Sequence, residues 1–101
     1  VLSWSLLETM SVQGTILASD TAPVRELITD GQTGALVDFF DQDALVARAS
    51  ELLDDPETSA RMGRAARAHV GENYDLETVC MPRQLEWVKI LAALPAQPLP
   101  V

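Results

Sequence analysis

The 101-residue chain has one cysteine, one histidine, one lysine and few aromatic residues, 5 % of the total. A single cysteine excludes an internal disulfide framework, and one Cys with one His cannot build a Cys/His zinc cage. Without a Gly-x-Ser-x-Gly element or a Gly-rich loop ending in Lys, triad hydrolysis and P-loop chemistry lack their parts. Gly-x-Gly-x-x-Gly is also absent, which weighs against a dinucleotide-dependent redox domain. No apolar run approaches the roughly 18 residues of a membrane span, and no basic-then-apolar signal segment opens the chain. Positive charge is scarce: 7 Lys and Arg stand against 15 Asp and Glu, a net charge of −8. That balance repels a phosphate backbone, so no nucleic-acid partner is expected.

What is present suits a folded domain. Hydrophobic residues make up 48 % and charged residues 22 %, close to the globular average, and the length allows one core. The chain opens on Val1 and Leu2 and runs straight into apolar residues, whereas natural N-termini are usually polar. The expectation is a segment of a larger fold.

Residues 1–12 read as a helix, with Leu6, Leu7 and Met10 on one side. Thr15 to Ala18 is a short apolar run bounded by Gly14 and Ser19-Asp20, which suits a strand of a parallel sheet. Pro23 to Ile28 is long enough for about two helical turns with proline in the first. Asp30-Gly31 and Gly34 punctuate a turn, and Ala35-Leu36-Val37 is a second buried strand. Helix, strand, helix, strand is the order of an α/β unit. Further on, Asp41 N-caps a helix with a stripe of Leu45, Val46, Ala49, Leu52 and Leu53. Asp55-Pro56 opens another, with Met62, Ala65, Ala66, His69 and Val70 on its stripe and Arg61, Arg64 and Arg67 on a solvated side within reach of Glu57. Asp75 caps the last helix, with Tyr74 and Val79 at the spacing of a hydrophobic staple. Pro82 predicts a kink there. Residues 1–94 are read as one domain and 95–101 as a proline-rich, extended tail.

His69 and Cys80 fall on apolar stripes and read as packed side chains rather than reactive ones. The Asp54-Asp55 pair is explained by a helix start. The informative segment is Ser3-Trp4-Ser5-Leu6-Leu7-Glu8. A helix start presents free N–H groups and a positive dipole end that favour a phosphate. Glu8, about one turn in, could accept from vicinal hydroxyls. The competing structural reading makes Ser5-x-x-Glu8 a capping box that satisfies the helix's own donors.

The ordered series Ser5 to Met10, Thr15 to Asp20, Thr21 to Glu26 and Asp30 to Asp38 resembles the C-terminal, donor-binding domain of the family 4 (group 1) glycosyltransferases. The later Asp43-Ala-Leu, Leu52 to Pro56 and Arg61 to Arg67 segments fit the same family. The resemblance implies part of a Rossmann-like domain of the GT-B fold, carrying the donor site of an enzyme that moves a sugar from a nucleoside diphosphate sugar with retention. It places the second Glu of the family's Glu-x7-Glu motif on Glu8, holding the ribose hydroxyls; the first would fall one residue before Val1. Ser3, Trp4, Ser5 and Leu6 would face the diphosphate. Thr21, Ala22 and Glu26 correspond to the Gly-Gly-x-Pro-Glu-like element. The family's small-Cys-Gly stretch is Ser11-Val12-Gln13 here. The resemblance further implies no metal or other cofactor, an N-terminal partner domain reached by the last helix through Trp87, Val88 and Leu91, and a cytoplasmic enzyme peripheral to the membrane; the alternative for those three side chains is packing on the chain's own helices. The segment alone would lack turnover and would self-associate through an apolar patch at Trp87 and Leu91. Because the chain is acidic, positive potential at an anionic donor is expected to come from local amides or from bases that are not in this chain. The alternative is a non-enzymatic α/β interaction module in which Glu8 merely caps.

Overall fold

A computed structural model describes residues 3–96. Eight residues form the first helix, α1 (Trp4–Ser11), and Ser3 caps it: its hydroxyl accepts from the Leu6 amide at 3.3 Å. Ser5 therefore lies inside the helix, and the anticipated Ser5–Glu8 capping box does not form. The start at Val1 and Leu2 lies outside the described residues.

The end of α1 shows why the following loop is rigid. The Gln13 amide donates to Met10 O and the Gly14 amide to Thr9 O, at 3.2 and 2.9 Å. These two bonds close a Schellman motif. Gln13 takes the left-handed conformation, φ 63°, in the position that Gly fills without steric cost. A Cβ on Gly14 would lie 2.5 Å from the Thr9 methyl, so glycine is required one residue later.

Strand β1 (Leu17–Ser19) pairs in parallel with β2 (Ala35–Val37), Leu17 opposite Ala35 and Ser19 opposite Val37. β2 matches its expected bounds; β1 lies two residues later at its start and one at its end, because its limits follow from pairing with β2. Helix α2 (Ala22–Arg25) is one turn, not two. Leu27 and Ile28 leave it to enter the core. The turn before β2 is built by Gly31 in the left-handed region (φ 79°), whose amide donates to Gly34 O at 2.8 Å. The Asp30 carboxylate accepts from the Leu36 amide.

Helix α3 (Gln42–Asp54) starts at Asp41, whose carboxylate accepts from the Ala44 amide, and α4 (Pro56–Tyr74) starts at Asp55, which accepts from Thr58. A π-helical turn, Leu76–Cys80, begins at Asp75, and α5 (Met81–Ala93) follows with Pro82 in its first turn. Pro82 thus lies in the first turn of α5, where its missing amide costs no helical bond, rather than inside one continuous helix as expected.

The core lies between α1, β1, the end of α2 and α4: Leu7, Met10, Ile16, Leu27, Ile28 and Ala66 cluster there, and Met62 is also buried. α4 approaches closely because Gly63 has no side chain. A Cβ at Gly63 would stand 2.3 Å from the Gln13 carbonyl oxygen. His69 is half-buried near Tyr74, with the Asn73 amide 3.3 Å from Nδ1, and Cys80 is half-buried with its thiol on Tyr74 O.

Along the α3 stripe Ala49 and Leu52 are half-buried, while Leu45, Val46 and Leu53 are exposed. One expectation requires correction. Glu57 forms no ion pair with the α4 arginines among the described residues; Arg61 instead places its charge near Asp55.

From Met81 to Ala96 every residue is exposed. The radius of gyration is 18.5 Å, against about 13 Å for a compact chain of this size. α5 thus projects from the α/β body, with Trp87 at 65 % exposure.

Candidate functional site

The sequence-derived site residues fall on two adjacent structures, the first turn of α1 and the loop that leads from β1 into α2. At the start of α1 the Ser3 hydroxyl satisfies the Leu6 amide and the Ser3 carbonyl receives the Leu7 amide. The Trp4 and Ser5 amides have no acceptor among the described residues. These are the orphan donors of a helix start, at the positive end of its dipole. Ser5 Oγ lies 3.2 Å from Ser3 Oγ, leaving two hydroxyls side by side at the same end.

Glu8 is exposed, and its carboxylate makes no hydrogen bond among the described residues. It shares a face with Trp4, one turn earlier (i, i+4), and Trp4 is 71 % exposed. Leu7 and Met10 lie on the buried side and anchor the helix in the core. The Leu6 side chain packs on the core, so only its backbone and edge are available.

An open groove of about 390 Å³ joins Ser3, Ser5, Leu6 and Thr9 to β1 and to Val24 of α2. It brings three of the expected residues together. Trp4, Glu8, Thr21, Ala22 and Glu26 stand outside it. Thr21 is half-buried and N-caps α2 by position but without a side-chain bond; its amide donates to Ser19 O at 2.9 Å. Ala22 and Glu26 are exposed at the two ends of α2. This loop lies at the C-terminal end of β1, where open α/β sheets place ligands.

The loop also carries an ion pair that no sequence pattern marks. Asp20 and Arg25 form a two-pronged ion pair across it, with Nη2 donating to Oδ2 at 3.0 Å and Nε donating to Oδ1. The guanidinium holds the Asp20 carboxyl below its ordinary range, and Asp20 in turn raises Arg25. A separation of five residues in a turn-rich stretch carries no helical or strand periodicity, so only the fold reveals the pair.

No group of three or more His, Cys, Asp or Glu residues is placed to hold a metal ion among the described residues, and no described helix is long and apolar enough to cross a membrane. A second groove, of about 450 Å³, separates Thr15 and Leu17 from Ala49, Leu52, Leu53, Pro56 and Ser59. It is mostly apolar in lining and brings no titratable side chain together.

Residues 1–69 match the family described as glycosyl transferases group 1. The lipopolysaccharide core biosynthesis mannosyltransferase LpcC of Rhizobium leguminosarum bv. viciae is 35 % identical over 71 residues, which is 70 % of this chain and 20 % of that protein. The GDP-mannose-dependent α-(1-6)-phosphatidylinositol monomannoside mannosyltransferase of Mycolicibacterium smegmatis is 35 % identical over 63 residues, 62 % of this chain and 16 % of that protein. The chain thus spans about a fifth or less of the length of these relatives. Among solved structures, Anabaena Alr3699/HepE in complex with UDP-glucose shares the fold with a TM-score of 0.78 over 92 % of this chain and 24 % of that one, at 17 % identity. The architecture is accordingly the expected α/β one, part of a Rossmann-like unit of the GT-B fold. With more than half of its length matched, and with the fold in agreement, the chain belongs to the glycosyl transferases group 1 family.

Proposed function

We propose that this chain is the donor-binding part of a glycosyltransferase that moves a sugar from a nucleoside diphosphate sugar to an acceptor, with retention of configuration. The observation that carries the reading is at α1. Glu8 is not used as a cap, and the Trp4 and Ser5 amides at the helix start have no acceptor among the described residues. A helix beginning that is so arranged offers donors for a diphosphate and, one turn along, a carboxylate for a ribose diol.

The division of labour follows from charge. As the bond between sugar and diphosphate breaks, negative charge grows on the leaving phosphate, and preoriented amides stabilise it without rearranging. The two carboxylate oxygens of Glu8 accept from the ribose hydroxyls and fix the nucleotide's orientation. Thr21, Ala22 and Glu26 border the sugar and diphosphate from the β1–α2 loop. In this reading the diphosphate is met by amides and side chains without a resident metal, and the complete enzyme works in the cytoplasm, peripheral to the membrane. An N-terminal domain supplies the acceptor side, so the 101-residue chain on its own binds donor without turning it over. Support comes from family membership, from the structural relatives whose complexes contain UDP and UDP-glucose, and from the α1 geometry.

Calorimetric titration of UDP-glucose and GDP-mannose tests this. Glu8→Ala is expected to weaken binding ten- to a hundredfold, the worth of hydrogen bonds to a charged group, while the melting temperature stays within the small range of an exposed substitution. Equal affinity in wild type and Glu8→Ala would remove Glu8 from the site.

A further inference from the structure

Arg25 is the only Lys or Arg among the first 47 residues, and the same stretch holds seven acids: Glu8, Asp20, Glu26, Asp30, Asp38, Asp41 and Asp43. α1, β1 and α2, the elements of the candidate site, all lie within it. Arg25 is therefore the one cationic side chain that these elements can offer an anionic ligand. That side chain is already engaged by Asp20, across the loop that carries Thr21 and Ala22. The side chains are 62 % exposed for Arg25 and 35 % for Asp20. A pair this accessible to water is screened by salt and open to a competing anion. The planar fork that clasps a carboxylate also fits a phosphate, whose oxygens present the same paired acceptors.

We propose that Arg25 is a binding residue for the diphosphate of a nucleoside diphosphate, and that Asp20 is the competing anion that holds it until the nucleotide arrives. This rests on the donor-site reading above. Binding exchanges one bidentate anion for another at the same guanidinium, and Asp20, left without its partner, repels the newcomer. The two residues thus act on affinity with opposite signs. An ion pair that only braced the loop would give the same sign, because truncating either partner would loosen the same turn. The acidity of the chain is then met by one local base as well as by helix-start amides.

The test titrates UDP and GDP, with uridine as the phosphate-free control, into the full chain and into Arg25→Gln, Arg25→Lys and Asp20→Asn, with circular dichroism confirming unchanged helix content. Arg25→Gln is expected to weaken the better nucleotide about tenfold, Arg25→Lys to fall between it and wild type, and Asp20→Asn to tighten binding severalfold, with the uridine response unchanged. Any other pattern in a wild-type chain that binds nucleotide overturns the role of Arg25 and leaves the donor site standing. A wild-type chain that binds neither UDP nor GDP overturns both.

Discussion

Gly63 and Gln13 set the placement of the site although neither belongs to it. The Gln13 carbonyl sits where a Cβ of residue 63 would be, at 2.3 Å, so α4 lies against the turn that ends α1. Gly63→Ala must push that turn away and is expected to cost about 1–3 kcal/mol, the range for overpacking, read as a lower denaturation midpoint with unchanged slope. Gln13→Gly should act the other way. It relieves a left-handed residue at φ 63° and should stabilise by about 1 kcal/mol. A neutral Gly63→Ala would mean that the turn is soft, and α1 would then lack the fixed orientation that the site needs. Sequence showed part of this scale. Asp41, Asp55 and Asp75 were legible as caps because a cap is a local bond between a side chain and amides two or three residues on. Gly63 and the Asp20–Arg25 pair were not, because each is decided by which segments the fold brings near; Ser3 is a local cap like the others, hidden in the sequence by Ser5, which stands three residues before Glu8 and offered a competing start.

At the scale of elements, caps tie helix starts to acid stability. Thr58 lowers Asp55, through its hydroxyl and its amide, and Thr78 lowers Asp75 in the same way with the amide first. With Asp20 held down by Arg25, all three carboxyls titrate below the ordinary 3.8. A group lowered in the folded state adds stability that is complete above its unfolded value and is lost as pH falls through the folded one. The melting temperature should therefore be level from about pH 7 to 5 and fall below about pH 4. Asp55→Asn keeps a good cap without a titrating group, so it should flatten part of that acid limb. An identical limb in Asp55→Asn would show that Asp55 does not contribute to it. Element types were readable from period and punctuation; the bounds of β1 and the length of α2 were not. The first depends on register with β2, and the second on the core drawing in Leu27 and Ile28.

The whole molecule is an α/β body with a projecting helix. The body buries one core beneath a two-stranded sheet, while α5 presents Leu85, Trp87, Val88, Ile90 and Leu91 to solvent. Sequence reading held two outcomes open for these side chains, a partner surface or the chain's own helices, and the exposure of α5 shows that its own helices do not cover them. An exposed apolar face of this kind favours association. Sedimentation velocity is expected to show concentration-dependent self-association that Trp87→Glu with Leu91→Glu abolishes without lowering the melting temperature; a wild-type monomer at high concentration would contradict it. The α3 stripe is covered only at Ala49 and Leu52: helical periodicity marks an apolar face but does not say how much of it a neighbour covers.

The proposed donor site joins α1's first turn to the β1–α2 loop. Amide chemical-shift mapping of the ¹⁵N-labelled chain with UDP reads both segments at once. Saturable shifts are expected at Ser3–Glu8 and Thr21–Glu26, lost in Glu8→Ala. Absence of shifts, or shifts centred on α4 and α5, would contradict it.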